Sequence, residues 1–265
     1  MPKEKETAKP SSRPFWSGSI TIGLVNVPVK LFTMVRDQSF SFRLLHNIDG
    51  QPLKYERVCI RDNKIIDWKD TVKGYEIRKN EFIVFNKEEL EAIKPESDER
   101  IKLDKFISLL SIDPVYFEKS YILVPDRSEE AYSLLMTVMQ QEGKAGMGKV
   151  AMRTKEYPVV VYAYKGALIL TTLHYANEVT NPVDMEELAT LKAPPKKEME
   201  LAGKIIKELS GEFDITEYKD GYRERMEKLI EMKMKGEIIV AEVPKKEEVK
   251  ELMVALQETI KQLAR

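Results

Sequence analysis

The chain has 265 residues, 43% of them hydrophobic and 33% charged, with a formal net charge of −1. That length and apolar content predict a soluble globular protein with one large domain and a smaller second one. A lone cysteine, Cys59, excludes an internal disulfide framework and suits a reducing compartment, and no apolar run approaches the roughly eighteen residues of a membrane helix.

Residues 1–13 mix Lys, Glu, Pro and Ser without an apolar core, which reads as a disordered lead-in and not as a secretory signal. Two strands with a kink between them follow. Ile20, Ile22 and Leu24 share one parity, and Val27, Val29 and Leu31 share another, so each segment offers one apolar face. Gly18 and Gly23 fall where a curved strand needs a bulge or a close backbone approach. Pro28 lacks an amide donor, which predicts an edge strand or a start at a bulge. Phe40, Phe42 and Leu44 alternate with polar neighbours and predict a third strand, ended by Asn47-Ile48-Asp49-Gly50.

Residues 51–85 form a polar, basic, strand-rich excursion with pieces at 53–60, 64–68 and 81–85 and turns near Asp62-Asn63 and Lys79-Asn80. It has too few apolar residues per strand to be the middle of a core, so it reads as an arm. Asn86 caps a short helix with Glu88 and Glu89 in its first turn. Strands are predicted at 101–110 and 120–124. Ser128 then caps an amphipathic helix that buries Leu134, Leu135, Val138 and Met139 and ends at Gly143. Strands at 149–153, 158–164 and 167–175 complete this body, the last two joined by a tight Lys165-Gly166 turn. Past Pro182 and Ala193-Pro194-Pro195, three helices are predicted. The first covers 197–210, the second starts from Asp214-Ile215-Thr216-Glu217 as a capping box and runs to Gly236, and the third starts at Pro244. In the third, Val249, Leu252, Met253, Leu256, Ile260 and Leu263 form an apolar stripe. No internal repeat is visible.

The charge is unevenly spread. Between Lys30 and Lys79 eleven Lys and Arg face seven Asp and Glu; between Glu81 and Leu135 the numbers are seven and thirteen. Partners respond to the local field, since charges beyond a Debye length of about 8 Å are screened. Gly143-Lys144-Ala145-Gly146-Met147-Gly148-Lys149 has the letters of a phosphate-binding loop, but a helix precedes it, a strand follows it and Val150 replaces the hydroxyl residue. It reads as a flexible glycine connector. Two histidines, His46 and His174, and one cysteine are too few for a zinc site without carboxylates. No motif of nucleophilic, metal-dependent or nucleotide-dependent catalysis is present, so no catalytic residue, metal or cofactor is expected.

The string Phe15-Trp16-Ser17-Gly18-Ser19-Ile20, continued by Gly23-Leu24-Val25-Asn26-Val27-Pro28-Val29, resembles the start of the core domain of prokaryotic Ku. This family binds broken DNA ends in non-homologous end joining. Lys73-Gly74-Tyr75-Glu76, the stretches 112–117, 120–126 and 167–179, and in the tail Gly211-Glu212-Phe213-Asp214 and Tyr218-Lys219-Asp220 resemble further family segments, so the likeness covers nearly everything after Arg13. Many relatives carry a second cysteine three residues after the first, where this chain has Asp62.

The resemblance implies a mixed, mainly β fold: a Ku-type β-barrel core over 14–190 with a strand bridge near 50–85, then an α-helical C-terminal region over 196–265. It also implies a non-catalytic homodimer, whose two chains form a ring that threads onto duplex ends irrespective of sequence. The arm residues Lys54, Arg57, Arg61, Lys64, Lys69 and Lys73, interleaved with Tyr55 and Trp68, are suited to phosphate contacts. Lys30, Arg36, Arg43 and Arg153 join them as candidate DNA-binding residues. An ATP-dependent DNA ligase of the ligase D type is the implied partner, with Tyr218, Tyr222, Arg223 and Arg225 as its candidate surface. From Asn181 onward nineteen acidic residues face sixteen basic ones, which places the expected DNA grip in the core and arm. The implied setting is cytoplasmic, at breaks in the nucleoid. The competing reading is a protein-interaction module on a barrel fold, its arm charges serving an acidic partner without DNA threading.

Overall fold

A computed structural model describes residues 13–93, 99–236 and 252–263. The expected lead-in, residues 1–12 above all, and the expected helix start at Pro244 with Val249 lie outside these residues. The chain divides into two units, with the boundary between Thr180 and Asn181.

In the first unit, β1 (Trp16–Ile22) and β2 (Val25–Thr33) pair antiparallel, Ile20 opposite Val27 and Gly18 opposite Val29. The kink expected between them is a hairpin reversal. Gly23 has a φ of 57° there and Leu24 is fully exposed, so this glycine serves a turn, not a bulge. The chain then leaves the barrel. The strand expected at Phe40, Phe42 and Leu44 is absent, as are those at 53–60 and 64–68; only isolated bridges join Leu45 to Pro52 and Val58 to Ile65. The alternation is real, but among the described residues nothing pairs with it beyond the Leu45–Pro52 bridge. β3 (Lys73–Arg78) and β4 (Glu81–Phe85) form a separate two-stranded ribbon, turned at Asn80 with a φ of 65°. α1 (Lys87–Ala92) follows, closed by a capping box: the Glu89 amide donates to the Asn86 side chain (2.8 Å) and the Asn86 amide to the Glu89 carboxylate (2.9 Å).

The chain returns as β5 (Arg100–Ile107), β6 (Phe117–Pro125), α2 (Glu129–Gln141), β7 (Ala145–Met152), β8 (Lys155–Tyr164) and β9 (Ala167–Leu173). Seven strands close into a barrel in the order β1-β2-β6-β9-β8-β7-β5, and a parallel seam between β1 and β5 completes it. Ile20, Val27, Val29, Leu31, Ile101, Leu123, Val150, Val159, Val161, Leu168 and Leu170 are buried together in one core cluster. On β8 and β9 the opposite parity is buried as well. Val160 and Leu173 pack with Ala145 under Leu109, Ile112, Tyr116 and Phe117, which explains the unbroken apolar run of these strands.

Close backbone approach fixes the glycines beside β5. A Cβ on Gly18 would meet the Glu99 carbonyl oxygen, and one on Gly148 would meet that of Lys102. The expected glycine connector at 143–149 is therefore mostly strand: Gly143 turns the chain with a φ of 60°, and β7 begins at Ala145. Closure also settles Pro28. With no edge strand in the barrel, its missing N–H falls where the β2–β6 ladder stops at Val29 opposite Pro125. Its carbonyl accepts from the Asp126 amide (3.0 Å) and from Ser128 Oγ (2.6 Å). Ser128 consequently makes no side-chain cap on α2. Tyr132 on α2 is buried and its hydroxyl joins β6 to β9, accepting from the Leu168 amide and donating to the Leu123 carbonyl, each at 2.7 Å. Leu134 and Val138, expected to be buried, are exposed, while Met139 is buried.

The second unit contains α3 (Glu186–Ala189), α4 (Lys196–Glu208), α5 (Gly221–Met234) and α6 (Leu252–Leu263). α4 packs against α6, with Ala202 and Ile205 of the former and Met253, Leu256 and Ile260 of the latter half-buried. Asp214 accepts from the Thr216 amide (2.8 Å) but caps only a single turn of 3₁₀ helix. The long helix starts later, where Asp220 accepts from the amides of Tyr222 and Arg223, each at 3.0 Å.

Candidate nucleic-acid interface

Between β2 and β5 the chain runs through an arm whose side chains are almost all exposed. Its ribbon pairs with no barrel strand. Opposite residues of the ribbon share a face, so Tyr75 and Ile83 lie on one side and Phe82 and Val84 on the other. Both sides are open: Tyr75 is 66% and Phe82 55% exposed. A two-stranded ribbon is marginal on its own in water, and this one presents apolar side chains to solvent from both faces.

Two knuckles of like construction precede the ribbon. In the first, the Gly50 amide donates to the His46 carbonyl (2.8 Å) and the His46 amide to that of Gln51 (2.8 Å). In the second, the Asn63 amide donates to the Cys59 carbonyl and the Cys59 amide to that of Lys64, both at 2.9 Å. Each has an Asp at its fourth position that accepts an amide hydrogen bond: Asp49 from Gln51 (3.1 Å), Asp62 from Lys64 (3.3 Å). Gly50 and Asn63 carry the left-handed φ values, 68° and 57°. Sequence reading misses this repeat, although the signal is present as His46-x-x-Asp49-Gly50 and Cys59-x-x-Asp62-Asn63.

In both knuckles hydrogen bonds hold the carboxylate. The Gln51 amide, then the His46 ring at 2.8 Å, keep Asp49 below the ordinary aspartate range. The Cys59 thiol, then the Lys64 amide, do the same for Asp62. Among the described residues no group of three or more His, Cys, Asp and Glu is placed to hold a metal ion.

The knuckles order the basic residues. Arg57, Arg61 and Lys64 surround the second one, whose short ladder includes the Ile66 amide bonded to the Arg57 carbonyl (2.8 Å). The Arg57 guanidinium lies 4.6 Å from the ring centroid of Trp68. Lys54, Lys64 and Lys69 pair with Glu56 (3.3 Å), Asp62 (3.3 Å) and Asp67 (3.7 Å). Such exposed pairs are weak and exchange readily for another anion. Lys73 opens the ribbon opposite Phe85. Arg36 and Arg43 are exposed on the extended stretch that leaves β2.

Two candidates belong to the barrel instead. Lys30 on β2 bonds Asp126 at 2.7 Å. Arg153, in the turn from β7 to β8 with a φ of 59°, lies 4.9 Å from the ring of Phe15, which itself stacks on Tyr121 at 5.4 Å. In the second unit Tyr218 and Tyr222 are exposed, beside and at the start of α5, while Arg223 reaches Glu227 at 2.9 Å and Arg225 lies one turn from Gly221.

The family model described as the Ku70/Ku80 beta-barrel domain matches residues 21–202. A non-homologous end joining protein Ku from Archaeoglobus fulgidus is 36% identical over 250 residues, covering 94% of this chain and 98% of its own. Proteins of the same name from Anaeromyxobacter sp. (strain K) and Bacillus subtilis (strain 168) are 39% and 32% identical, over 87% and 92% of this chain and 78% and 80% of theirs. With a closed barrel, an arm inserted between β2 and β5, and likeness of this extent, the chain belongs to the Ku family.

Proposed function

We propose that this protein binds the ends of linear duplex DNA, irrespective of base sequence, as a non-catalytic homodimeric ring in non-homologous end joining. The observation that carries the reading is the arm. It bears Lys54, Arg57, Arg61, Lys64, Lys69 and Lys73 on exposed turns, and its ribbon has two uncovered apolar faces. One chain supplies one arm, and a two-fold axis supplies the second half of a ring together with cover for apolar surface. Encirclement explains why a chain of net charge −1 suffices. A closed ring retains DNA by topology, so fewer phosphate contacts are needed than on an open surface. Only a free end can enter, which gives end selectivity without reading bases.

In this proposal the second unit recruits an ATP-dependent DNA ligase of the ligase D type through Tyr218, Tyr222, Arg223 and Arg225. The protein acts in the cytoplasm, at breaks in the nucleoid; no described helix is long and apolar enough to cross a membrane. The test compares binding to a linear duplex, to a covalently closed circle of the same sequence, and to a linear duplex blocked at both ends by bulky caps. Binding to the open linear form alone supports threading. Equal affinity for all three refutes it, and no DNA binding at all returns the arm to a protein-interaction role.

A further inference from the structure

The arm contains a groove of about 720 Å³ between the turn at Trp68–Asp70, the ribbon and α1. Trp68, Val72 and Phe85 are its apolar lining residues, and Lys69, Lys73 and Lys87 are its cationic ones. One carboxylate, Glu91, shares it. Trp68 is 69% exposed. Arg57 lies over its indole and is not among the residues that line the groove. Two aromatic rings beside three cations fit a chain of flat bases joined by phosphates: stacking platforms with an electrostatic channel hold single strands with little regard to sequence. A continuous duplex hides its base faces in the stack, whereas a resected or staggered end exposes them.

We propose that this groove takes the unpaired nucleotides of an overhang at a DNA end, Trp68 and Phe85 stacking on bases and Lys69, Lys73 and Lys87 meeting phosphates. The stacked guanidinium of Arg57 pins the indole and links the groove to the duplex-facing arm. This inference rests on the end-binding reading and adds a preference among ends to it.

The test measures affinity by fluorescence anisotropy for one duplex closed at its far end by a hairpin. Its near end is blunt, or carries a five-nucleotide thymidine overhang, or carries an abasic overhang of equal length. In the unaltered protein the thymidine overhang is expected to bind about tenfold tighter than the blunt end, since stacking contributes a factor of roughly five to 150 per base. The abasic overhang should lose most of the gain. W68A should bring the ratio of overhang to blunt affinity close to one whatever it does to either alone, and Trp68→Phe should restore part of it. In a second measurement, W16F leaves Trp68 as the only tryptophan, and oligothymidine should quench its fluorescence. Tight blunt-end binding with no overhang preference, or no quenching, overturns the inference and leaves end binding intact. Failure of every duplex to bind removes both. Displacement of the dye-labelled overhang by an acidic aromatic peptide but not by oligothymidine assigns the groove to a protein partner and overturns it as well.

Discussion

Tyr132→Phe removes one oxygen from the place where α2 holds β6 and β9 together. Tyr132 is 7% exposed, and its two backbone partners, the Leu168 amide and the Leu123 carbonyl, belong to fully or almost fully buried residues. Phenylalanine keeps the ring and its packing but leaves one donor and one acceptor without a partner and out of reach of water. Each such group costs about 1–3 kcal/mol. The loss is partly offset, because Leu123 and Leu168 are opposite one another in the ladder and can approach across the vacated space. A net loss of about 2–3 kcal/mol follows. In urea that is a fall of about 1 M in the midpoint, for a slope near 2 kcal/mol/M that the substitution should leave unchanged.

The same residue gives a second reading at alkaline pH. Burial pushes the Tyr132 phenol above its ordinary value of 10.0. A raised native pKa means that the fold holds the neutral form, so this contribution is intact below pH 10 and declines as pH rises toward the native value. Y132F should lack that part of the alkaline decline. A variant within 0.5 kcal/mol of the unaltered protein, with the same alkaline limb, would show that the ladder closes without the hydroxyl and would refute the reasoning.

Gly148→Ala places a methyl group on the Lys102 carbonyl at the crowded side of β5 and should cost about 3 kcal/mol or prevent folding. Gly143→Ala, where only the left-handed φ opposes it, should cost about 1 kcal/mol; equal effects by thermal unfolding would contradict the close-approach argument. Reversing Lys54, Arg57 and Arg61 to Glu together should weaken duplex binding alike for unrelated sequences. The salt slope should also fall by about 0.9 for every phosphate the arm no longer neutralises, so weakening confined to one sequence counts against backbone recognition. Asp49 and Asp62 have native pKa values below the ordinary aspartate value of 3.8. Their contribution to the knuckles is therefore present above pH 3.8 and is lost only as pH falls through the lower native values. Amide exchange at Gln51 and Lys64 should stay slow at pH 5; protection that disappears near pH 5 would mean that these carboxylates do not hold the turns.

The barrel is legible in the sequence because its strands bury one or both faces against other strands of the same chain. Period-two alternation in β1 and β2 and the continuous runs in β8 and β9 are direct records of that burial. What stays hidden there are consequences of closure. Pro28 looks like an edge residue until a closed sheet leaves only a ladder end for it, and Gly146 and Gly148 look like a connector until β5 is seen pressing on β7. Ser128 has the letters of a helix cap, yet its hydroxyl goes to the Pro28 carbonyl, a hundred positions back along the chain. Local propensity is silent about a partner that distant.

The arm conceals its structure for a different reason. Phe40, Phe42 and Leu44 alternate as a strand should, and Tyr75, Ile77, Ile83 and Val84 are apolar as a core should be, yet all are exposed or nearly so in the single chain. Among the described residues none covers this pattern, and the ring proposal accounts for it with covering surfaces from outside the chain. The ring proposal supplies two such surfaces, a second arm and the DNA, and the two make different demands. Protein cover calls for the apolar faces of the ribbon, whereas phosphate calls for the lysines and arginines of the knuckles and turns. The two sets occupy different stretches, with the basic residues concentrated at 54–73 and the paired apolar faces at 74–84. Substitutions in the second stretch should therefore act first on assembly, and those in the first on DNA at unchanged assembly. A Phe82→Asp, Val84→Asp double variant that sediments as a single chain and binds ends poorly, beside a charge-reversed arm that sediments as a pair and binds equally poorly, would separate the two demands. If the Asp variant remains a pair with full end affinity, the ribbon's apolar faces have no part in assembly, and some other surface must join the two halves of the ring.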